Sequence, residues 1–152
     1  MSEVKFGLEL YQDIHEEMDP ILMKHFLEIS ANQDIPLDVD KEQYFMLEKV
    51  GILKVYTARY EGELIGYSVY FVRHNPHYKK SLQAVQDVIF IDPERRGFGK
   101  KFINWCDDQL RDYGVQVVYH HVKQKHNFGP MLETMGYKLV DLIYGRRLDK
   151  EI

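Results

Sequence analysis

Gln83-Ala84-Val85-Gln86-Asp87-Val88-Ile89-Phe90-Ile91-Asp92-Pro93-Glu94-Arg95-Arg96-Gly97-Phe98-Gly99-Lys100-Lys101-Phe102-Ile103 is the stretch whose reading decides the fold. It opens on an apolar run, Val88 to Ile91, without helical spacing and bounded by Asp92-Pro93. Such a run predicts a strand buried on both faces. A basic loop with two glycines follows, from Arg95 to Lys101. Beyond it Phe98, Phe102, Trp105, Cys106, Leu110 and Tyr113 recur at helical spacing, and Gly114 is a fitting stop. The unit is strand, glycine loop, helix. A helix N-terminus offers unpaired N–H groups and the positive end of a dipole, and glycines let a ligand approach the backbone. Cations in the same turn complete what reads as a phosphate cradle.

Several known cradles do not match. A P-loop needs Gly, four residues, then Gly-Lys-Ser/Thr; here Gly99-Lys100 is followed by Lys101, and Glu94 stands where the first glycine belongs. A dinucleotide loop needs a third glycine where Phe102 stands. Glu94-Arg95-Arg96-Gly97-Phe98-Gly99 instead resembles motif A of the GNAT superfamily of acetyl-CoA-dependent acyltransferases, Gln/Arg-x-x-Gly-x-Gly/Ala at the end of the fourth strand. It departs from that motif at Glu94. A second frame starts at Arg96 and departs at Lys101. Either frame implies a pyrophosphate on the backbone of Arg95, Arg96, Gly97, Phe98, Gly99, Lys100 and Lys101. The resemblance also implies that main-chain groups of Ile89, Phe90 and Ile91 pair with the pantetheine arm and supply an oxyanion contact.

Composition bounds the rest. With 152 residues the chain is expected to form one domain, 1–152, around a single core. Hydrophobic residues make up 45%, enough to fold rather than stay disordered. The formal net charge of −4 speaks against general nucleic-acid binding. Cys106 is the sole cysteine, so an intramolecular disulfide and a cysteine zinc cluster are both excluded. No signal-peptide pattern and no long apolar span occur, so no membrane is expected and the cytoplasm is the expected location, the host's cytoplasm for a phage protein.

Read from the N-terminus, Val4 to Leu10 predicts a first strand. Met18, Ile21, Leu22, Phe26 and Ile29 share one face of a helix within residues 15–30, with Asp19-Pro20 as a fitting start. A loop runs from Ala31 to Asp38, and Asp40 caps a second helix with Tyr44 and Leu47, closed by Gly51. Ile52 to Tyr60 and Leu64 to Val72 flank a glycine hairpin. Arg73 to Ser81 reads as a polar loop. After the central unit come a strand at Val115 to Val122, a loop at Lys123 to Pro130, a short helix at Met131 to Met135 and a last strand at Tyr137 to Leu148. This order is similar to that of the GNAT superfamily over nearly the whole chain, and Met131 to Tyr137 resembles its late Leu-Gly-Phe signature. Small bacterial and phage members look most alike. The implied fold is α+β (α/β): a mixed, mostly antiparallel central sheet flanked by helices.

The resemblance implies an N-acetyltransferase: acetyl-CoA is the co-substrate, and the partner is an amine acceptor, a small molecule or a protein. A homodimer is left open. A base must take the amine's proton, because a protonated amine has no lone pair. Asp87, at the start of the central strand, is a candidate, and His77 and Tyr78 are candidates for the acceptor end, with His120 beside them. The family's usual acid is a Tyr four residues before the late glycine; here that position is Leu132. Tyr119, Tyr137, Tyr144 and His121 are the substitutes, with Tyr137 carried as a candidate catalytic residue. Asp34, Asp38, Asp40 and Glu42 would favour a cationic acceptor or form a solvated rim. The histidines show no metal-ligand spacing, and no metal is expected. His120 and His121 are adjacent in a strand, so only one can face the site. The competing expectation is a protein of this fold that binds CoA or a partner without turnover.

Overall fold

The computed structural model describes residues 3–95 and 97–150. Five strands form one sheet in sequential order: β1 (Lys5–Leu8), β2 (Leu53–Tyr60), β3 (Glu63–Asn75), β4 (Tyr78–Ile91) and β5 (Val117–Tyr119). The first four pair antiparallel, and β4 pairs with β5 in parallel. The sheet is therefore mixed and mostly antiparallel. The helices are α1 (Tyr11–Ile29), α2 (Lys41–Lys49), α3 (Gly99–Tyr113) and α4 (Gly129–Thr134).

Alternation along the strands sorts side chains to two cores. On one face Val55, Leu64, Tyr67 and Val69 pack under Tyr11, Ile14 and Met18 of α1, with Tyr44 and Leu47 of α2 beside them. On the other, Tyr56, Ala58, Ile65, Tyr70 and Val72 meet Phe102, Cys106 and Leu110 of α3. The apolar stripe of α3 is continued by Phe98, and Gly114 ends the helix in the left-handed region at φ +105°. Trp105 is half-buried against Phe6 and Tyr56, and Tyr113 is exposed.

Asp40 caps α2 by accepting a hydrogen bond from the Gln43 N–H at 3.1 Å. Glu61 and Gly62, both at positive φ, make the tight turn between β2 and β3.

Four expectations need correction. The first helix begins at Tyr11 rather than Asp19, with Pro20 inside it. Pro20 removes one backbone bond, but Tyr11, Ile14 and Met18 bury their side chains ahead of it. Glu48 of α2 accepts from the N–H groups of Tyr11 and Gln12, so a distant carboxylate caps this end. Arg73 to Ser81 is a hairpin: β3 runs to Asn75 and β4 starts at Tyr78. The ladder needs only backbone groups, so exposed polar side chains do not end it. The strand expected at Val115 to Val122 shrinks to Val117–Tyr119. Residues 137–148 lie in no strand.

Phe102 is fully buried between Phe6 and Phe98. Phe102→Ala should lower the unfolding free energy by about 3–5 kcal/mol, read as a shifted urea midpoint.

Candidate active site

The site follows from where two strands part. β4 and β5 pair at Gln83↔Val117, Ala84↔Val118 and Val85↔Tyr119, and the ladder goes no further. Beyond it the Gln86 side chain accepts from the His121 N–H at 3.1 Å. β4 continues to Ile91 on its β3 side alone. Its other edge over residues 86–91 has no strand beside it among the described residues. Because one side is uncovered, Val88 to Ile91 are half-buried, not buried on both faces as expected.

The open edge leads into the glycine loop. Pro93–Arg95 make a 3-10 turn, Gly97 takes φ +112°, and α3 starts at Gly99. Among the described residues no side chain caps the start of α3. Phe102 returns its N–H to the Phe98 carbonyl at 2.8 Å, leaving the first-turn N–H groups of Gly99, Lys100 and Lys101 without partners inside the helix. Lys100 and Lys101 are exposed there. Arg95 leans away, 3.5 Å from Glu63 and over the Tyr60 ring. Arg96 lies outside the described residues. Phe98 is buried against Gly66 and Phe102, so only its backbone can face a ligand. The glycines have different reasons. Gly97 holds a backbone conformation that a side chain strains, with open space around it. At Gly99 a Cβ would stand 2.8 Å from Ile91 Cδ1, so this glycine lets the helix start close to β4.

A bulge sets the opposite wall. Val69 pairs with Val88 and Tyr70 with Gln86, so Asp87 is an extra residue in β4. It puts Asp87 and Val88 consecutively on the α1–α2 face, where both line a cleft of about 670 Å³ with Asp38, Asp40, Tyr44 and Arg73. Tyr44 Oη donates to Asp87 Oδ2 at 2.6 Å. Burial pushes the Asp87 carboxyl above its ordinary value, against the lowering effect of the Tyr44 bond and of His121 nearby. A carboxylate with a raised pKa, held by a phenol in a cleft, is equipped to accept a proton. Tyr44 was expected only as an apolar helix position; Asp40, which sets the phase of α2, was the available signal.

The four candidate catalytic residues do not come together. Tyr137 Oη donates to the Asp107 carboxylate of α3 at 2.7 and 2.9 Å, on the far face of the sheet from Asp87. Burial and Asp107 together hold the phenol protonated. His77 sits in the β3–β4 turn, its N–H on Asn75 Oδ1, and Tyr78 is exposed beside it. At about 3.3 Å per residue, His77 lies roughly 30 Å along the strand from Asp87. Leu132 is buried. The adjacent histidines diverge: His121 is within electrostatic reach of Asp87, and His120 turns inward among Tyr70, Phe128 and Tyr137. Asp34 is tied to Arg147 and Lys150.

Neither a family model nor a curated protein sequence matches this chain. Solved structures do. A ribosomal-protein-alanine N-acetyltransferase from Brucella melitensis superposes with a TM-score of 0.71 at 19% identity, over 96% of this chain and 99% of that one. An Arabidopsis thaliana glucosamine-6-phosphate N-acetyltransferase gives 0.69 at 13%, over 97% and 99%. An aminoglycoside N-acetyltransferase, AAC(6')-Iy, solved with CoA, gives 0.69 at 14%, over 99% and 97%. The protein has the GNAT fold. In this GNAT fold the parted strands, the uncapped α3 and the Asp87 cleft lie along one strand, β4.

His120 supplies a test of the inner face. Both its ring nitrogens are buried without a partner among the described residues. Burial, then His121, depresses its pKa from 6.5 to about 4. The folded value lies below the unfolded one, so the folded state binds fewer protons and stability is lost as pH falls through that window. His120→Phe should therefore lose on the order of 2 kcal/mol less stability between neutral pH and pH 4 than the wild type, measured by urea unfolding.

Proposed function

We propose that the protein is an N-acetyltransferase that moves an acetyl group from acetyl-CoA to an amine by direct attack. The observation that carries this reading is the convergence on β4 of unpaired backbone from two sources: the strand's open edge at 86–91 and the uncapped first turn of α3. Backbone N–H groups of Gly99, Lys100 and Lys101, with the exposed ammonium groups of the two lysines, suit a pyrophosphate. The edge of β4 around Ile89, Phe90 and Ile91 suits an extended amide-bearing arm added as a strand. Arg95 lies in the 3-10 turn before α3, and Arg96 follows Arg95 in the sequence.

The acceptor amine enters from the Asp87 side. Among the described residues lining the cleft, Asp38, Asp40 and Asp87 face a single cation, Arg73, which favours a cationic amine, free or on a protein. Asp87 is the base. The amine nitrogen forms a bond to the thioester carbonyl carbon, its proton passes to Asp87 directly or through water, and the carbon–sulfur bond breaks to release the thiolate. Tyr44 orients the carboxylate. A cytoplasmic location suits this co-substrate.

One observation favours a second reading, a protein that binds CoA without turnover. Leu132 occupies the position of the family's usual acid, and the nearest phenol, Tyr137, is committed to Asp107.

Release of free thiol from acetyl-CoA across a panel of amines and lysine-containing proteins separates the two. The transferase reading expects release with at least one cationic amine; a chain that acetyl-CoA stabilises against heat but that never releases thiol is a binding protein. Acetyl-CoA should raise the melting temperature more than adenosine, which lacks the pyrophosphate.

Asp87→Asn keeps an oxygen for Tyr44 and removes the base. Its raised folded pKa means that stability from Asp87 falls as pH rises through the window above the ordinary carboxylate value. The variant should keep or gain thermal stability at neutral pH while the transfer step slows by about 100-fold or more. In the wild type the rate should fall on acidification with a midpoint above the ordinary carboxylate range. An unslowed Asp87→Asn removes Asp87 from the chemistry.

A further inference from the structure

The cleft beside Asp87 has two electrical ends, and α2 lies between them. Asp40 caps the first turn of α2, Asp38 precedes it, and both line the cleft. The nine residues of α2 span about 13 Å. At the far end the turn after Lys49 brings Ile52 back to the sheet, where its carbonyl accepts from the Val72 N–H at 2.7 Å. Arg73 is the next residue along β3. It shares the α1–α2 face with Phe71, two positions earlier, and both line the cleft. Tyr44 leaves the helix one turn after Asp40 and holds Asp87 between the two ends. Carboxylates therefore stand at one end of the cleft and at its middle, and a guanidinium stands at the other.

Among the described residues nothing neutralises Arg73: it makes no hydrogen bond and no ion pair. Its cross-strand neighbour is Gln83, a neutral side chain whose oxygen accepts from Asn75 and whose amide donates to Ser81. From Arg73 to Gln86 the hairpin carries Lys79 and Lys80 and no carboxylate. The field is positive at this end, where the other end is negative. An arginine fork without a protein partner, facing a cleft, suits a carboxylate or a phosphate, which it binds through two parallel N–H bonds. Between the ends Leu47, Phe71 and Val88 give the cleft an apolar lining. A purely cationic acceptor such as a diamine would satisfy the carboxylates and set a like charge against Arg73.

We propose that the acceptor is dipolar, a primary amine with a carboxylate or phosphate at the far end of an apolar spacer, and that Arg73 selects it by binding the acidic group. Gln83, opposite Arg73, is separated from Asp87 by about 13 Å of strand, less what the bulge takes up. Hydrogen bonds of about 2.8 Å at each end leave roughly 5–8 Å for the acceptor itself. An α-amino acid is too short for that span, and 6-aminohexanoate fits it. Arg73 is a specificity residue and takes no part in the bond changes at the thioester. The inference rests on the transferase reading for its amine end, and on Arg73 for its acidic end.

The test uses the full chain, acetyl-CoA and amines of matched length: 6-aminohexanoate, 6-aminohexyl phosphate, hexylamine and 1,6-diaminohexane. Thiol release should give at least one of the two acids a kcat/KM about tenfold above hexylamine and above the diamine. The acid that leads tells carboxylate from phosphate. The preference should shrink in high salt, and the short 3-aminopropanoate should lack it. Arg73→Gln should bring the acids down to the level of hexylamine, with the loss carried by KM, and Arg73→Lys should restore part of it as a point charge. A wild type that prefers the diamine or treats the amines alike overturns the proposal and leaves the transferase reading intact. So does an Arg73→Gln that keeps the preference. Calorimetric titration of the same amines into protein saturated with acetyl-CoA covers a chain that releases no thiol. Tighter binding of an acid than of hexylamine, abolished by Arg73→Gln, then sustains the acidic end of the site and removes only the transferase reading. Equal binding, or none, overturns the proposal. Arg73 is exposed, so circular dichroism should show the variants folded; should they not fold, the wild-type comparison of acids with hexylamine decides alone.

Discussion

Two parallel strands that separate after three residue pairs set the terms for the rest of the molecule. A buried backbone needs partners for every N–H and C=O. From Gln83 to Val85, β4 finds them on both sides; from Gln86 onward its only ladder is with β3. The chain does not fray there, because β3 continues alongside to Gly66 and the cores on both faces continue with it. An ordered strand is thereby left with an open edge, and it feeds directly into a helix whose first turn is uncapped. These unpaired groups must be met by water or by a ligand, and their positions are fixed before any ligand arrives. That is the condition for binding an extended, polar, phosphorylated arm without a large ordering cost.

The sheet also separates the titratable groups. Asp87 reaches the α1–α2 face because a bulge adds one residue to β4, and Tyr44 holds it there. Asp107 and Tyr137 form a pair on the α3 face. Both carboxyls are raised by burial, and each is offset by a phenol. Asp87 opens on a cleft, while the Asp107 carboxylate is taken up by the Tyr137 hydroxyl. His120 and His121 follow the same division, one turned to each side. Burial alone therefore does not mark the chemical group; the side of the sheet on which it is buried does.

Much of this was legible. The apolar run ending at Asp92-Pro93, the glycine loop and the stripe from Phe98 to Leu110 define β4 and α3 through local patterns. Asp40, Gly62 and Gly114 mark a cap, a turn and a stop by their own chemistry. What stayed hidden depends on distant partners. Nothing near Tyr11 announces that Glu48 will cap its helix, so the start at Pro20 looked better. Nothing near Asp87 announces a bulge, since the extra residue is extra only relative to β3. The polar run from Arg73 to Ser81 reads as a loop, because a ladder of backbone bonds leaves no trace in side-chain polarity. Residues 137–148 are the converse: their strand pattern is plain, and the missing ingredient is an edge to pair with.

The absence of a tyrosine at Leu132 weighs less against the proposed chemistry than it first suggests. Two protons are at issue in a thioester aminolysis. The attacking amine holds its proton with a pKa near 10.4 for a lysine-type group, about three units above neutral pH. A thiol gives up its proton near 8.5, so a thiolate is a tolerable leaving group that water can protonate afterwards. The larger barrier is on the amine side, and the proposed amine entry is the cleft that Asp87, Asp38 and Asp40 line. A carboxylate whose pKa burial has raised is a stronger base than an exposed one, and the Tyr44 bond favours its ionised form. On the proposed reading, a chain with a base at Asp87 and no placed acid has the group that addresses the harder transfer.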